Sequence, residues 1–168
     1  MYSELRDLFV TAYFNHNWAE AIVWSTDLLE RFSKEMKEEG VIARVWDNRG
    51  ICIQHLGHRL DAILNFDKAL EYETDDDLIA KIYCNKGAAY YDMGDLESAI
   101  EWLNKSIDIQ PVPQSFLTLG NIYKHRGHLT KALTFYKRCV EADPEYADGH
   151  LVYGMALLKA GYLLGGWK

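Results

Sequence analysis

The stretch HLGHRLDAI, residues 55–63, returns further along the chain as HRGHLTKAL, residues 125–133. Both copies read His-x-Gly-His, with an alanine five positions after the glycine. Two histidine pairs are raw material for a metal site, because imidazole nitrogens are common ligands. A copied structural unit would produce the same match, its histidines carried along with it. The residues around the two stretches decide between these readings.

Aligned on Gly57, the glycines Gly94, Gly127 and Gly161 follow at spacings of 37, 33 and 34 residues. Seven residues before each stands another glycine: Gly50, Gly87, Gly120 and Gly154. Five residues after the first three come Ala62, Ala99 and Ala132, and four further on Phe66, Leu103 and Tyr136. Ala69, Ser106 and Cys139 come next in register, and Pro111 and Pro144 close two units. A period of this length is the mark of a repeat array. The pattern resembles the tetratricopeptide repeat, a helix–turn–helix unit of about 34 residues. Full units are read at 43–76, 80–113 and 113–146, with an incomplete one at 147–168. A divergent unit at 2–35 carries Leu5, Leu8, Ala12, Trp18, Ala21 and Leu28 near the expected positions, with His16 in place of the turn glycine. The stretch MKEEGVI (36–42) reads as a linker, with Gly40 as a helix C-cap. Two departures from the family pattern stand out: Arg49 and Lys86 replace the usual leucine.

The resemblance implies an all-α fold, a right-handed superhelical α-solenoid of stacked units. Small residues such as Gly50 and Ala62 belong where paired helices cross, and large ones such as Trp46 and Phe66 fill the space between helices. No unit buries its own apolar face, so stability comes from stacking. The Gly-Trp pair near the C-terminus resembles last repeats in long bacterial arrays, so the chain is expected to continue past Lys168 in a larger protein.

Composition narrows the function. With Lys and Arg at 18 against Asp and Glu at 25, the net charge is −7. Such a chain lacks the basic footprint that phosphate backbones need, which argues against nucleic acid and against an anionic membrane surface. The N-terminus carries Glu4, Arg6 and Asp7 where a signal peptide needs an apolar run. Cys52, Cys84 and Cys139 are odd in number and far apart, so neither a disulfide framework nor a zinc site is suggested, and a reducing, cytoplasmic setting is expected.

The histidines then follow from the register. His55 and His125 share one repeat position, His58 and His128 another, and each pair straddles a helix-ending glycine. The two corners are two units apart, so four imidazoles should not converge on one ion. No metal and no cofactor is expected. Nor is an enzyme: there is no phosphate-binding glycine loop and no nucleophile with a base at a telling spacing. TDDD (74–77) reads as a solvated loop with an N-cap for the next helix.

In the family, the first helices of successive units line a concave groove. Carried over position by position, this makes Arg6, Tyr13, Arg44, Asp47, Asn48, His55, Lys81, Asn85, Tyr91, Asn121, Lys124 and His125 the candidate binding residues. Over all groove positions there are five bases (Arg6, Arg44, Lys81, Lys124, Lys159) and three acids (Asp47, Asp92, Asp148). The acidic balance of the chain therefore lies elsewhere, and the groove suits a protein or peptide segment with acidic character. Some relatives grip a C-terminal carboxylate with a five-residue clamp. The closest register here is Arg6, Val10, Asn48, Lys81 and Asn85, which departs from the clamp at Val10 and Asn85. The expectation is a non-enzymatic interaction scaffold. The alternatives are the recognition arm of a larger enzyme, glycosyltransferase-like for example, and a module that self-assembles into a homo-oligomer through its last helix.

Overall fold

The computed structural model describes residues 1–161. Among them are nine helices and no strand: α1 (Tyr2–Phe14), α2 (Trp18–Glu38), α3 (Ile42–His55), α4 (Arg59–Leu70), α5 (Asp76–Met93), α6 (Leu96–Ile109), α7 (Pro113–His125), α8 (Leu129–Ala142) and α9 (Ala147–Lys159). The odd-numbered helix of each unit packs on the even-numbered helix that follows it, and α5 also touches α3 and α7. First helices thus stand side by side along one face of an all-α solenoid. The second helix expected for the last unit, at LLGGWK, and its Gly-Trp pair lie outside the described residues.

Local chemistry sets the helix ends. The Asp75 carboxylate accepts the Asp77 N–H at 2.8 Å, and Asp76 and Asp77 sit in the first turn of α5, where the helix dipole favours negative charge. Asp95 caps α6 by accepting the Ser98 N–H at 3.1 Å. Pro113 opens α7 at its first position, where a missing N–H costs nothing. The turn glycines Gly57, Gly94 and Gly127 have φ of 88, 82 and 78°, which only a residue without Cβ adopts cheaply. In the divergent first unit His16 takes the same turn with φ 58°, and its ring lies 4.9 Å from that of Trp18.

The helix crossings explain the second row of glycines. A Cβ on Gly50, Gly87 or Gly120 would come within 3.0 Å of Phe66, Leu103 or Tyr136 respectively. Those three side chains are fully buried. The pairing of a small residue with a large one is therefore a steric fit between the two helices of one unit.

Tertiary packing also accounts for the two departures from leucine. Arg49 reaches across from α3 to Asn65 on α4 and Thr26 on α2. Lys86 on α5 is buried, ion-paired with Asp67 on α4, and its ammonium lies 3.7 Å from the centre of the Trp102 ring on α6. A polar seam therefore links successive units where leucine would give an apolar one. The stretch 36–42, read as a linker, is helical as far as Glu38, and Met36 is fully buried beside Leu28 and Ile42. Its charged composition hid one apolar anchor. α2 bends at Phe32, which leaves helical geometry (φ −130°, ψ 22°).

Candidate peptide-binding groove

Helix α3 places Arg44, Asp47, Asn48 and Ile51 on one face, because residues three, four and seven apart lie above one another. On α5, Leu78, Lys81, Cys84 and Asn85 do the same. Between them runs a groove of about 560 Å³, closed on one side by Tyr13 of α1 and on the other by the segment Gln110–Gln114. Gln110 ties that far wall to α5, its side-chain amide donating to the Asp77 carbonyl at 3.2 Å. A second hollow of about 170 Å³ adjoins it and contains Tyr2, Arg6, Phe9 and Val10, with Arg44 and Asn48 shared between the two.

Asp47 sits in the wall of the main groove and is buried. Its Oδ1 accepts a hydrogen bond from Asn85 Nδ2 at 2.9 Å. Loss of water pushes its carboxyl up to about 6, against the lowering effects of the Asn85 hydrogen bond and the Lys81 charge. The consequence for stability has a definite sign. The folded protein holds the Asp47 proton more tightly than the unfolded chain between the ordinary value of 3.8 and about 6, so stability falls as pH rises through that window. Asp47→Asn keeps an acceptor for Asn85 and removes the charge. It is expected to stabilise the protein at neutral pH by about 2 kcal/mol, with the gain vanishing towards pH 4 in urea denaturation curves. A constant gain across that range would show that Asp47 does not titrate as described.

Of the twelve candidates, six come together in the main groove: Tyr13, Arg44, Asp47, Asn48, Lys81 and Asn85. Arg6 lies in the adjoining hollow, within 4.0 Å of Glu39. His55 stacks on Trp18, with ring centroids 4.3 Å apart and planes within 6°. His125 lies against Tyr91 at 6.2 Å. Asn121 accepts the Tyr136 hydroxyl at 2.8 Å, which commits its carbonyl to the core. Lys124 is exposed. Asp47 is buried although it lines the groove, which also holds Tyr13 and the α5 residues Lys81, Cys84 and Asn85. The register of a carboxylate clamp is not assembled in the main groove: Asn85 is engaged by Asp47, and Arg6 lies next door.

Sequence reasoning missed Leu78, Gln110, Pro111 and Val112 as groove residues. Only Leu78 had a signal, the 37-residue glycine spacing, since the three extra residues lengthen α5 at its start and bring Leu78 onto the face of Lys81. The cysteines are all free and buried, and burial pushes each thiol up to about 11. Cys84, although it lines the groove, is protonated at neutral pH and has no thiolate to offer. Among the described residues no three His, Cys, Asp or Glu side chains gather as metal ligands do, and no helix is long and apolar enough to cross a membrane.

Comparison with known proteins places these features. Residues 80–111 and 113–146 match family models of the tetratricopeptide repeat. The photosystem I assembly protein Ycf3 of Rippkaea orientalis is 31% identical over 86 residues, which is 51% of this chain and 50% of that protein. Heat shock protein STI1 of Saccharomyces cerevisiae is 30% identical over 86 residues, covering 46% of this chain and 14% of that protein. The chain therefore spans about half the length, or less, of these curated relatives. Among solved structures, MamA from Desulfovibrio magneticus aligns with a TM-score of 0.69 at 18% identity over 95% of this chain and 85% of its own. The Cut9–Hcn1 assembly of the APC/C aligns with a TM-score of 0.76 at 16% identity over 94% of this chain and 30% of its own.

Proposed function

Because the chain is a tetratricopeptide-repeat protein, we propose that it is a non-enzymatic scaffold that holds an extended protein or peptide segment in its concave groove. One observation carries this reading: six of the family-derived positions converge on a single open groove. The lining suits a peptide. Asn48 and Gln114 supply amides able to bond a backbone, Ile51, Leu78 and Val112 supply apolar area, and Arg44 and Lys81 supply positive charge for acidic side chains. The names of the matched relatives, an assembly protein and a heat shock protein, fit work on protein partners. Free, buried cysteines fit a reducing, cytoplasmic setting.

The test is capture of partners from a lysate by the native chain and by the Arg44→Glu/Lys81→Glu variant, with both shown to fold by circular dichroism. The reading expects a protein bound by the first and lost by the second, since opposite charge at both positions repels an acidic segment. Equal capture by both, or capture by neither, removes the groove reading.

A second reading, self-association, has its own observation. On α9 the side chains of Leu151, Met155 and Leu158 form a stripe at helical spacing, each more than 60% exposed. Sedimentation equilibrium is expected to show a concentration-dependent dimer that Leu151→Glu/Leu158→Glu converts to monomer. A strict monomer at high concentration rules that dimer out.

A further inference from the structure

We propose that Asp47 is the acceptor for an ammonium or guanidinium group of the bound segment, so that the groove selects a basic residue flanked by acidic ones. This inference rests on the groove reading above and sharpens it.

The geometry starts with the carboxylate. Asp47 is 6% exposed, yet it lines the open groove. One of its oxygens accepts from Asn85. The other has no hydrogen-bond or ion-pair partner among the described residues, and it is not sealed from the groove: it is not one of the buried unpartnered polar atoms, which are those of Trp46 and Arg59. That oxygen meets only water in the groove, and a cationic donor entering it can replace the water with a charge-assisted bond in poorly solvated surroundings. No other acid lines this groove.

The groups that line the groove with Asp47 come from four elements. Tyr13 of α1 borders it, and burial and the nearby Asp47 charge both hold the Tyr13 hydroxyl above its usual value, so it stays protonated. From its own helix comes Arg44, from α5 come Lys81, Cys84 and Asn85, and from the start of α7 comes Gln114. Lys81 acts on Asp47 through its charge but forms no ion pair with it within 4.0 Å. The groove thus carries one buried anion and two solvent-exposed cations, Arg44 and Lys81. A purely acidic segment finds the two cations but sets a like charge against Asp47, and a purely basic one finds Asp47 but is repelled at the rim. A cation with acids beside it satisfies all three groups.

Binding of this kind is linked to pH. Below about 6 the carboxyl takes up its proton and no longer attracts a cation, so preference for the basic residue fades as the solution is acidified.

The probe is a random library of acetylated, amidated octapeptides with acidic residues fixed on both sides of one varied position, selected on the native chain, on Asp47→Asn and on Arg44→Glu/Lys81→Glu. The native chain is expected to enrich Lys or Arg at the varied position at about pH 7.5, and Asp47→Asn to lose that enrichment. Replacing the selected lysine by norleucine in one peptide keeps the stem and removes the charge. Affinity for the native chain is then expected to fall about tenfold, and affinity for Asp47→Asn to stay unchanged. A parallel library with free amino termini separates the two sources of ammonium: enrichment confined to it assigns Asp47 to a chain terminus, not a side chain. Acidic peptides bound equally well whatever the varied residue, and lost only by Arg44→Glu/Lys81→Glu, overturn the inference and leave the groove reading standing. Peptides bound alike by all three proteins overturn both.

Discussion

Asp67→Ala is expected to destabilise the protein by about 3 kcal/mol, while Lys86→Leu costs far less. The difference comes from which charge is left behind. Lys86 is buried between two units, held by the Asp67 carboxylate and by the face of Trp102, whose ring also lies 3.9 Å from Lys105. Removing Asp67 leaves an ammonium out of water with only the ring as partner, and desolvation of an unpaired charge is the larger penalty. Removing Lys86 leaves a carboxylate that is half exposed and reaches water freely. Leucine is also the fully buried residue at the same repeat position one unit later, Leu119. Guanidinium denaturation of the two variants decides it. If Asp67→Ala costs no more than Lys86→Leu, the seam is solvated and the ion pair contributes no specificity to the stacking of units.

Gly120→Val is expected to cost about 3 kcal/mol, with Gly120→Ala lower because alanine regains up to about 1 kcal/mol of helix propensity. The Cβ of either enters the ring of Tyr136. That ring is fully buried and its hydroxyl is bonded to Asn121, so it has no exit rotamer that keeps the bond. The control is Gly154→Ala. Gly154 holds the same repeat position, and a Cβ there meets nothing within 4 Å among the described residues. It is expected to be neutral or slightly stabilising in thermal unfolding of the same chain. Equal losses at Gly120 and Gly154 would mean that helix propensity, not the crossing, sets the effect. The functional consequence is specific. α7 begins at the Gln110–Gln114 wall of the groove, so prising α7 from α8 is expected to weaken ligand binding as well as stability.

The repeat was legible because its physics is local and periodic. A glycine where Phe66, Leu103 or Tyr136 crosses, a glycine at φ near 80° in the turn, and a proline at a helix start are each fixed by one residue's shape. Repetition let these weak signals add across units, which explained the histidine pairs as turn residues as well. Burial of Met36 within the stretch read as a linker was not legible, for the opposite reason. Glu38 and Glu39 suggest a solvated stretch, while burial of Met36 depends on where α3 returns.

The binding residues divide along the same line. Repeat register placed Tyr13, Arg44, Asn48 and Lys81 on the concave face without knowledge of any neighbour. Which of the twelve candidates share a groove, that Asn121 is used up by Tyr136, and that the exposed His55 stacks on Trp18 were settled by contacts between residues far apart in the chain. The sequence by itself determined the unit, its helices and the face that carries the candidate residues, because those depend on spacing along one strand of backbone. Only the tertiary structure decided that Asp47 is a buried carboxylate and that Gln110 closes the groove, because burial and desolvation are set by what the other units place around a residue.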